Sequence, residues 1–231
     1  MPDAKDPAEK LAPTFAELGV AAEIVDALGE LGITHTFSIQ ELAAPLALAG
    51  KDVIGQARTG MGKTYAFGVP LLDRVFDDAD VAELDGTPRA LIIVPTRELA
   101  VQVGDDLTRA AKYTPVRITT VYGGRPYEAQ IAALSSGVDV VVGTPGRLID
   151  LLNRGNLQLD RVAVLVLDEA DEITECLAHI PRTRPHERHD LPGRHVESDV
   201  AEDAGLTVDG QVLGTVPYMS AEQLAGSRQA G

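Results

Sequence analysis

The sequence predicts an α/β domain, with a mostly parallel sheet flanked by helices. Three features predict it. Strand-like and helix-like patterns alternate between residues 52 and 167. The strand-like runs are continuous Val/Ile/Leu stretches, the pattern of strands covered by helices on both faces. A turn carrying Gly60 and Gly62 joins the first of these runs to a helix.

The elements follow in order. Residues 20–31 have apolar positions at helical spacing and read as an amphipathic helix. Residues 38–48 read as a second, in which Pro45 demands a bend or a break. Residues 52–55 form a short strand, followed by the glycine turn and a helix from about Gly62. Residues 90–94 are a strand, followed by a helix through Leu99 and Leu107. Residues 116–122 are a strand that ends in Gly123 and Gly124, and residues 125–134 a helix. Residues 138–142 are a strand, then come a turn at Pro145 and Gly146 and a helix through Leu148 and Leu152. Residues 162–167 are the most apolar strand. The folded unit is expected over residues 14–174. A flexible N-terminus, 1–13, precedes it and a divergent, partly disordered tail, 175–231, follows.

Composition narrows the class. Apolar residues make up 45% of 231, enough for a core. No run of about 18 apolar residues spans a membrane, and the charged start lacks the apolar segment of a secretory signal. A single cysteine, Cys176, excludes an internal disulfide. These features suit a soluble cytoplasmic protein. The net charge is −15. Residues 1–174 hold 15 Lys and Arg against 26 Asp and Glu, a net of −11. Any contact with nucleic acid must then be a local groove in an acidic surface, because composition supplies no general adhesion to a polyanion.

Two motifs carry chemistry. Ala57-Arg58-Thr59-Gly60-Met61-Gly62-Lys63-Thr64 follows a strand and opens a helix, the setting of a phosphate-binding loop. Gly60 and Gly62 let backbone N–H groups approach phosphate oxygens, and the helix N-terminus adds partial positive charge. Lys63 supplies a full charge to the β/γ-phosphates, and the Thr64 hydroxyl can bind Mg²⁺. Position 57 is Ala where the standard pattern has Gly. Asp168-Glu169-Ala170-Asp171 sits at the end of the last apolar strand. Alone it is equally a solvated acidic turn. With a phosphate loop about a hundred residues upstream it becomes a place where Asp168 holds Mg²⁺ and Glu169 orients the attacking water.

These two motifs together resemble the DEAD-box family of ATP-dependent RNA helicases. Pro95-Thr96-Arg97-Glu98-Leu99, Gly123-Gly124 and Thr144-Pro145-Gly146-Arg147 match, in order, that family's RNA-strand motifs. Phe15 and Ile39-Gln40 resemble its adenine-recognition motif, although Thr36-Phe37-Ser38-Ile39-Gln40 stands where the family usually has Pro-Thr-Pro-Ile-Gln. The resemblance covers roughly residues 14–172. It implies a RecA-like P-loop domain, ATP and Mg²⁺ as cofactors, RNA as a partner gripped by its backbone, and ATP hydrolysis coupled to strand separation. Catalysis would fall on Lys63, Asp168 and Glu169, and Mg²⁺ on Thr64 and Asp168. The nucleotide would be held by Phe15, Gln40, Arg58, Thr59, Gly60, Gly62, Lys63 and Thr64. RNA would be held by Pro95, Thr96, Arg97, Gly123, Gly124, Thr144, Gly146 and Arg147. Phosphate contacts of this kind carry no sequence information.

Past residue 172 the resemblance stops. A full member continues with a Ser-Ala-Thr motif and a second RecA-like domain bearing arginine fingers. Without them, the isolated chain is expected to be weak or inactive, and the alternative is a truncated nucleotide- or RNA-binding module without turnover. Residues 206–226 resemble part of a serine/threonine kinase activation segment, yet none of the other kinase motifs accompanies it, so the join reads as chimeric. Cys176, His179, His186 and His189 have zinc-ligand spacing in form, but the short Arg-rich loop between them reads as incidental. Residues 211–215 read as a short strand, which could fill the sheet position that the Ser-Ala-Thr strand takes in the family.

Overall fold

The computed structural model describes residues 12–57, 60, 62–77 and 84–173. Four strands form one sheet: β1 (Ala90–Ile93), β2 (Ile118–Val121), β3 (Val140–Gly143) and β4 (Val164–Leu167), in the order β2-β3-β1-β4. All three pairings are parallel, with Ala90 opposite both Val140 and Val164, and Ile118 opposite Val140. The helices are α1 (Ala22–Glu30), α2 (Ser38–Leu48), α3 (Lys63–Asp77), α4 (Arg97–Ala110), α5 (Tyr127–Ser135) and α6 (Pro145–Asn153).

Side chains on a strand alternate between faces, and here each face has its own core. Ala90, Ile92, Val140 and Val142 pack with Leu72, Val103 and Leu107 of α3 and α4 and with Ile24 and Leu28 of α1. Leu91 and Val141 pack on the other face with Leu134, Leu148 and Leu151 of α5 and α6. β3 is buried along its whole length. Two glycines bring the layers close. A Cβ on Gly104 of α4 would overlap Thr120 Cγ2 of β2, and one on Gly68 of α3 would overlap Leu107 Cδ2 of α4.

Charged pairs close the end of the sheet where the strands begin. The buried Asp139 carboxylate takes the Arg117 backbone N–H at 2.8 Å and its guanidinium at 3.1 Å. Asp85 pairs with Arg89 at 2.9 Å and also with Arg161. The hydroxyl and amide of Thr87 hold the Asp85 carboxyl well below the usual carboxylate range, with Arg89 and Arg161 adding to the effect.

Three expectations need correction. Residues 52–55 form no strand: Val53 is 39% exposed and Ile54 fully exposed. A two-residue apolar run between Lys51-Asp52 and Gly55 pairs only when a neighbouring strand lies beside it, and none does among the described residues. Of the bend or break expected at Pro45, the break does not occur: α2 continues to Leu48. Proline removes one ladder bond, and the next turn resumes with Ala49 N–H on the Pro45 carbonyl at 3.1 Å. β4 has the most apolar sequence but is only half-buried, with Leu167 40% exposed, because among the described residues it pairs with β1 alone. The strand expected at 211–215, the kinase-like segment and the Cys176/His cluster lie outside the described residues, as do the boundaries of the tail.

Two glycine substitutions should move stability in opposite directions. Gly104→Ala gains about 1 kcal/mol of helix propensity but forces its methyl onto the stiff β-branched Thr120, at a cost of about 1–3 kcal/mol. Gly29 of α1 has nothing within 4 Å of its would-be Cβ, so Gly29→Ala should stabilise by about 0.5–1 kcal/mol. Urea unfolding midpoints should fall for the first and rise for the second. Equal shifts of one sign would contradict the packing described.

Candidate nucleotide and RNA site

Parallel strands put all their C-terminal ends on one rim, where open α/β sheets bind ligands. The phosphate loop reaches that rim. Gly60 and Gly62 both have left-handed φ, 85° and 77°, which glycine adopts without strain. A Cβ on Gly62 would overlap Gln40 Nε2 and lie 2.7 Å from Phe37 Cδ2, so only glycine fits. The Gly62 carbonyl accepts both the first helical bond of α3, from Ala66 N–H at 3.1 Å, and the Gln40 amide at 2.9 Å. Lys63 and Thr64 begin α3 and are half-buried. Arg58 and Thr59, also expected here, lie outside the described residues.

Asp168 and Glu169 follow β4. Asp168 N–H continues the ladder to the Ile93 carbonyl at 3.0 Å. Glu169 then turns the chain with φ 53°, a conformation that costs a non-glycine residue about 1–2 kcal/mol. Its carbonyl receives Ile173 N–H at 3.2 Å, closing one helical turn over residues 170–173. The turn places Glu169 Oε1 2.5 Å from Lys63 Nζ. Phosphate loop and acidic strand end are thus joined by an ion pair across 106 residues of chain. Burial pushes the Asp168 carboxyl above its ordinary range. Lys63 opposes that shift and Glu169 adds to it.

The residues expected to read adenine are turned inward. Gln40 is fully buried, its Oε1 accepting Phe37 N–H at 2.9 Å while its Nε2 donates to Gly62. Phe15 is 1% exposed in the core with Val20, Ile24 and Leu72, and offers no open face to a base. An apolar ring suits a core position as well as contact with a base, and Phe15 takes the core position. Phe37, which sequence reasoning did not single out as a site residue, is the exposed aromatic beside Gly62.

The expected RNA residues fall on three adjacent strand ends. Pro95, Thr96 and Arg97 follow β1, Gly123 and Gly124 follow β2, and Thr144, Gly146 and Arg147 follow β3. Since β3 lies between β1 and β2, these loops stand in one row. Thr96 caps α4, its Oγ1 accepting Leu99 N–H at 3.2 Å. Arg97 is exposed, paired with Glu98, and lies near Gly124. Gly123, Gly124 and Gly146 are exposed, and Thr144 is half-buried with no side-chain capping bond. Arg147 differs from expectation. It is buried, with both terminal nitrogens on the Arg125 carbonyl at 3.2 Å.

A glycine loop opening a helix, with its lysine paired to the acidic end of a parallel strand, defines a P-loop domain of the α/β class. The sequence profile of the DEAD/DEAH box helicase family matches residues 37–183, well over half of the chain, and the chain belongs to that family. It is 44% identical over 180 residues to the DEAD-box ATP-dependent RNA helicase CshA of Geobacillus kaustophilus, covering 74% of this chain and 37% of that protein. It is 49% identical over 161 residues to the chloroplastic DEAD-box ATP-dependent RNA helicase 3B of Zea mays, covering 69% and 21%. The crystal structure of a DEAD box protein from Methanococcus jannaschii superposes with a TM-score of 0.64 at 37% identity, over 71% of this chain and 43% of that one. The chain therefore spans little more than a third of the longer-matched curated relative.

The carboxylate held above its ordinary range gives a test of the site's electrostatics. Relative to the unfolded chain, a raised Asp168 destabilises the fold at neutral pH, and the penalty fades as pH falls through the raised folded value. Asp168→Asn should therefore raise the melting midpoint of the nucleotide-free chain at pH 7 by about 1–4 °C, with the gain shrinking on acidification. A drop at pH 7 would contradict the desolvation described.

Proposed function

We propose that this chain binds ATP·Mg²⁺ at the rim above α3 and β4, grips an RNA backbone along the loops after β1, β2 and β3, and supplies the ATP-binding side of an ATP-dependent RNA helicase. The single observation that supports it most is the Lys63–Glu169 ion pair. It brings the two motifs needed for phosphoryl transfer to one point.

The residues present suit the nucleotide. Gly62 keeps the backbone close against Gln40 and Phe37, where any Cβ would overlap them, and the start of α3 favours an anion. A triphosphate would compete with Glu169 for Lys63, which frees the Glu169 carboxylate to orient water. Thr64 and Asp168 supply a hydroxyl and a half-buried carboxylate, the hard oxygen donors that Mg²⁺ takes. The metal, when bound, neutralises charge on the phosphates. Gln40 can exchange the Gly62 carbonyl for the acceptor and donor edge of adenine, coupling base recognition to the shape of the phosphate loop. Phe15 would support that position from the core behind it.

On the RNA side, the Thr96 and Thr144 hydroxyls, the Gly123, Gly124 and Gly146 amides and the Arg97 guanidinium present donors in a row, with Pro95 shaping the first turn. Such contacts read backbone, not bases. The composition and the absence, among the described residues, of a helix long and apolar enough to cross a membrane support a cytoplasmic placement.

Nucleotide binding is tested by thermal shift. At 100 times its dissociation constant, ATP·Mg²⁺ should add about 2.7 kcal/mol of stability to the wild-type chain. Lys63→Ala should reduce that shift to near zero while leaving a folded protein by circular dichroism. Equal shifts in the two proteins would rule out the phosphate-loop assignment.

A further inference from the structure

Arg147 is placed by its motif among phosphate contacts, yet the structure spends its guanidinium elsewhere. It is 9% exposed. Both terminal nitrogens donate to the Arg125 carbonyl at 3.2 Å. Its Cζ lies 3.9 Å from the centre of the Tyr127 ring, and Arg154 Cζ lies 4.2 Å from the same ring. Tyr127 is thus held by two guanidiniums, and its hydroxyl bonds Asp150, which also takes Arg154 Nε at 3.1 Å.

A second clamp acts on the same loop. Gln130 of α5 is buried. Its Oε1 accepts Tyr122 N–H at 3.0 Å, and its Nε2 donates to the Tyr122 carbonyl at 3.2 Å and the Pro126 carbonyl at 3.4 Å. Backbone groups of residues 122, 125 and 126 are therefore fixed by side chains, while Gly123 and Gly124 between them stay exposed. Glycine left to itself has the largest conformational freedom to lose on binding. Here the flanking residues have already been ordered, so a ligand meets a loop whose shape is set in advance.

We infer that Arg147, Tyr127 and Gln130 are positioning residues that hold the 122–126 loop in a preformed shape for an RNA backbone, and that Arg147 acts on RNA without contacting phosphate. The inference rests on the RNA-backbone reading proposed above. It also ties the loop after β2 to α6 after β3, so two parts of the RNA row move as one body.

The test combines salt-dependent binding with amide exchange on the full 231-residue chain. A fluorescent single-stranded oligoribonucleotide is titrated by anisotropy with ATP·Mg²⁺ present at several salt concentrations. Each phosphate contact contributes about 0.7 to the slope of log K against log salt on single strands. Arg147→Ala and Tyr127→Leu should each weaken binding about tenfold, the scale of re-freezing one backbone residue, with the wild-type slope retained. Arg97→Ala, a direct contact in this reading, should lower the slope by about 0.7. Tyr127→Phe keeps the ring and should bind as wild type. In the RNA-free chain, amides 122–125 should exchange faster in Arg147→Ala and Tyr127→Leu, with the ATP-induced thermal shift retained as proof of folding. A slope reduced by about 0.7 in Arg147→Ala, or unchanged exchange over 122–125, would overturn the inference. Failure of the wild-type chain to bind RNA while its loop exchange still responds would instead remove the RNA reading on which it rests.

Discussion

Parallel pairing of β3 with β1 on one side and β2 on the other constrains everything else in this domain. A parallel ladder needs a crossover after each strand, and the crossovers must be helices because both faces of β3 are covered. Each helix then starts at the same rim. Thr96 and α4, Tyr127 and α5, and Pro145 and α6 all stand where their strands end. The row of loops proposed to hold RNA is a consequence of strand direction. The loops are free to vary in sequence while their position is fixed by Ala90–Ile93, Ile118–Val121 and Val140–Gly143 below them.

Among the described residues, the electrostatics where the phosphate loop meets β4 is arranged around Lys63. Lys63 faces Glu169 directly and offsets part of the desolvation felt by Asp168. With no nucleotide, the pair satisfies both charges and holds the phosphate loop against β4. Gln40 holds the same loop from the other side through the Gly62 carbonyl. The loop is thus gripped by two side chains that a nucleotide would also engage. Under the proposed function, binding becomes an exchange of partners, which limits its net strength and makes it sensitive to the geometry of both.

Much of this was legible in the sequence. Aliphatic runs and their spacing gave β1 to β4, and the order of motifs gave the row of loops. What stayed hidden was direction. Residue type tells what Arg147, Gln40 and Phe15 can do, but not whether they face solvent or core, and all three face inward. Gln130 and Tyr127 had no motif to mark them, because their role is defined by the backbone groups that they meet. Residues 52–55 read as a strand from local content, whereas a strand exists only with a partner. Pro45 read as a bend or a break from its local cost, and the packing of Ile39, Gln40 and Ala44 carries the helix past it.

The half-buried β4 bears on colloidal behaviour. Among the described residues its outer side carries no neighbouring strand, and Leu167, Val53 and Ile54 leave apolar surface open. An edge of this kind is a template for pairing between molecules. What opposes it is a net charge of −15, a mutual repulsion that reaches about 10 Å at 0.1 M salt and only about 3 Å at 1 M. Ionic strength is then a variable that governs whether concentrated solutions of this chain stay monodisperse.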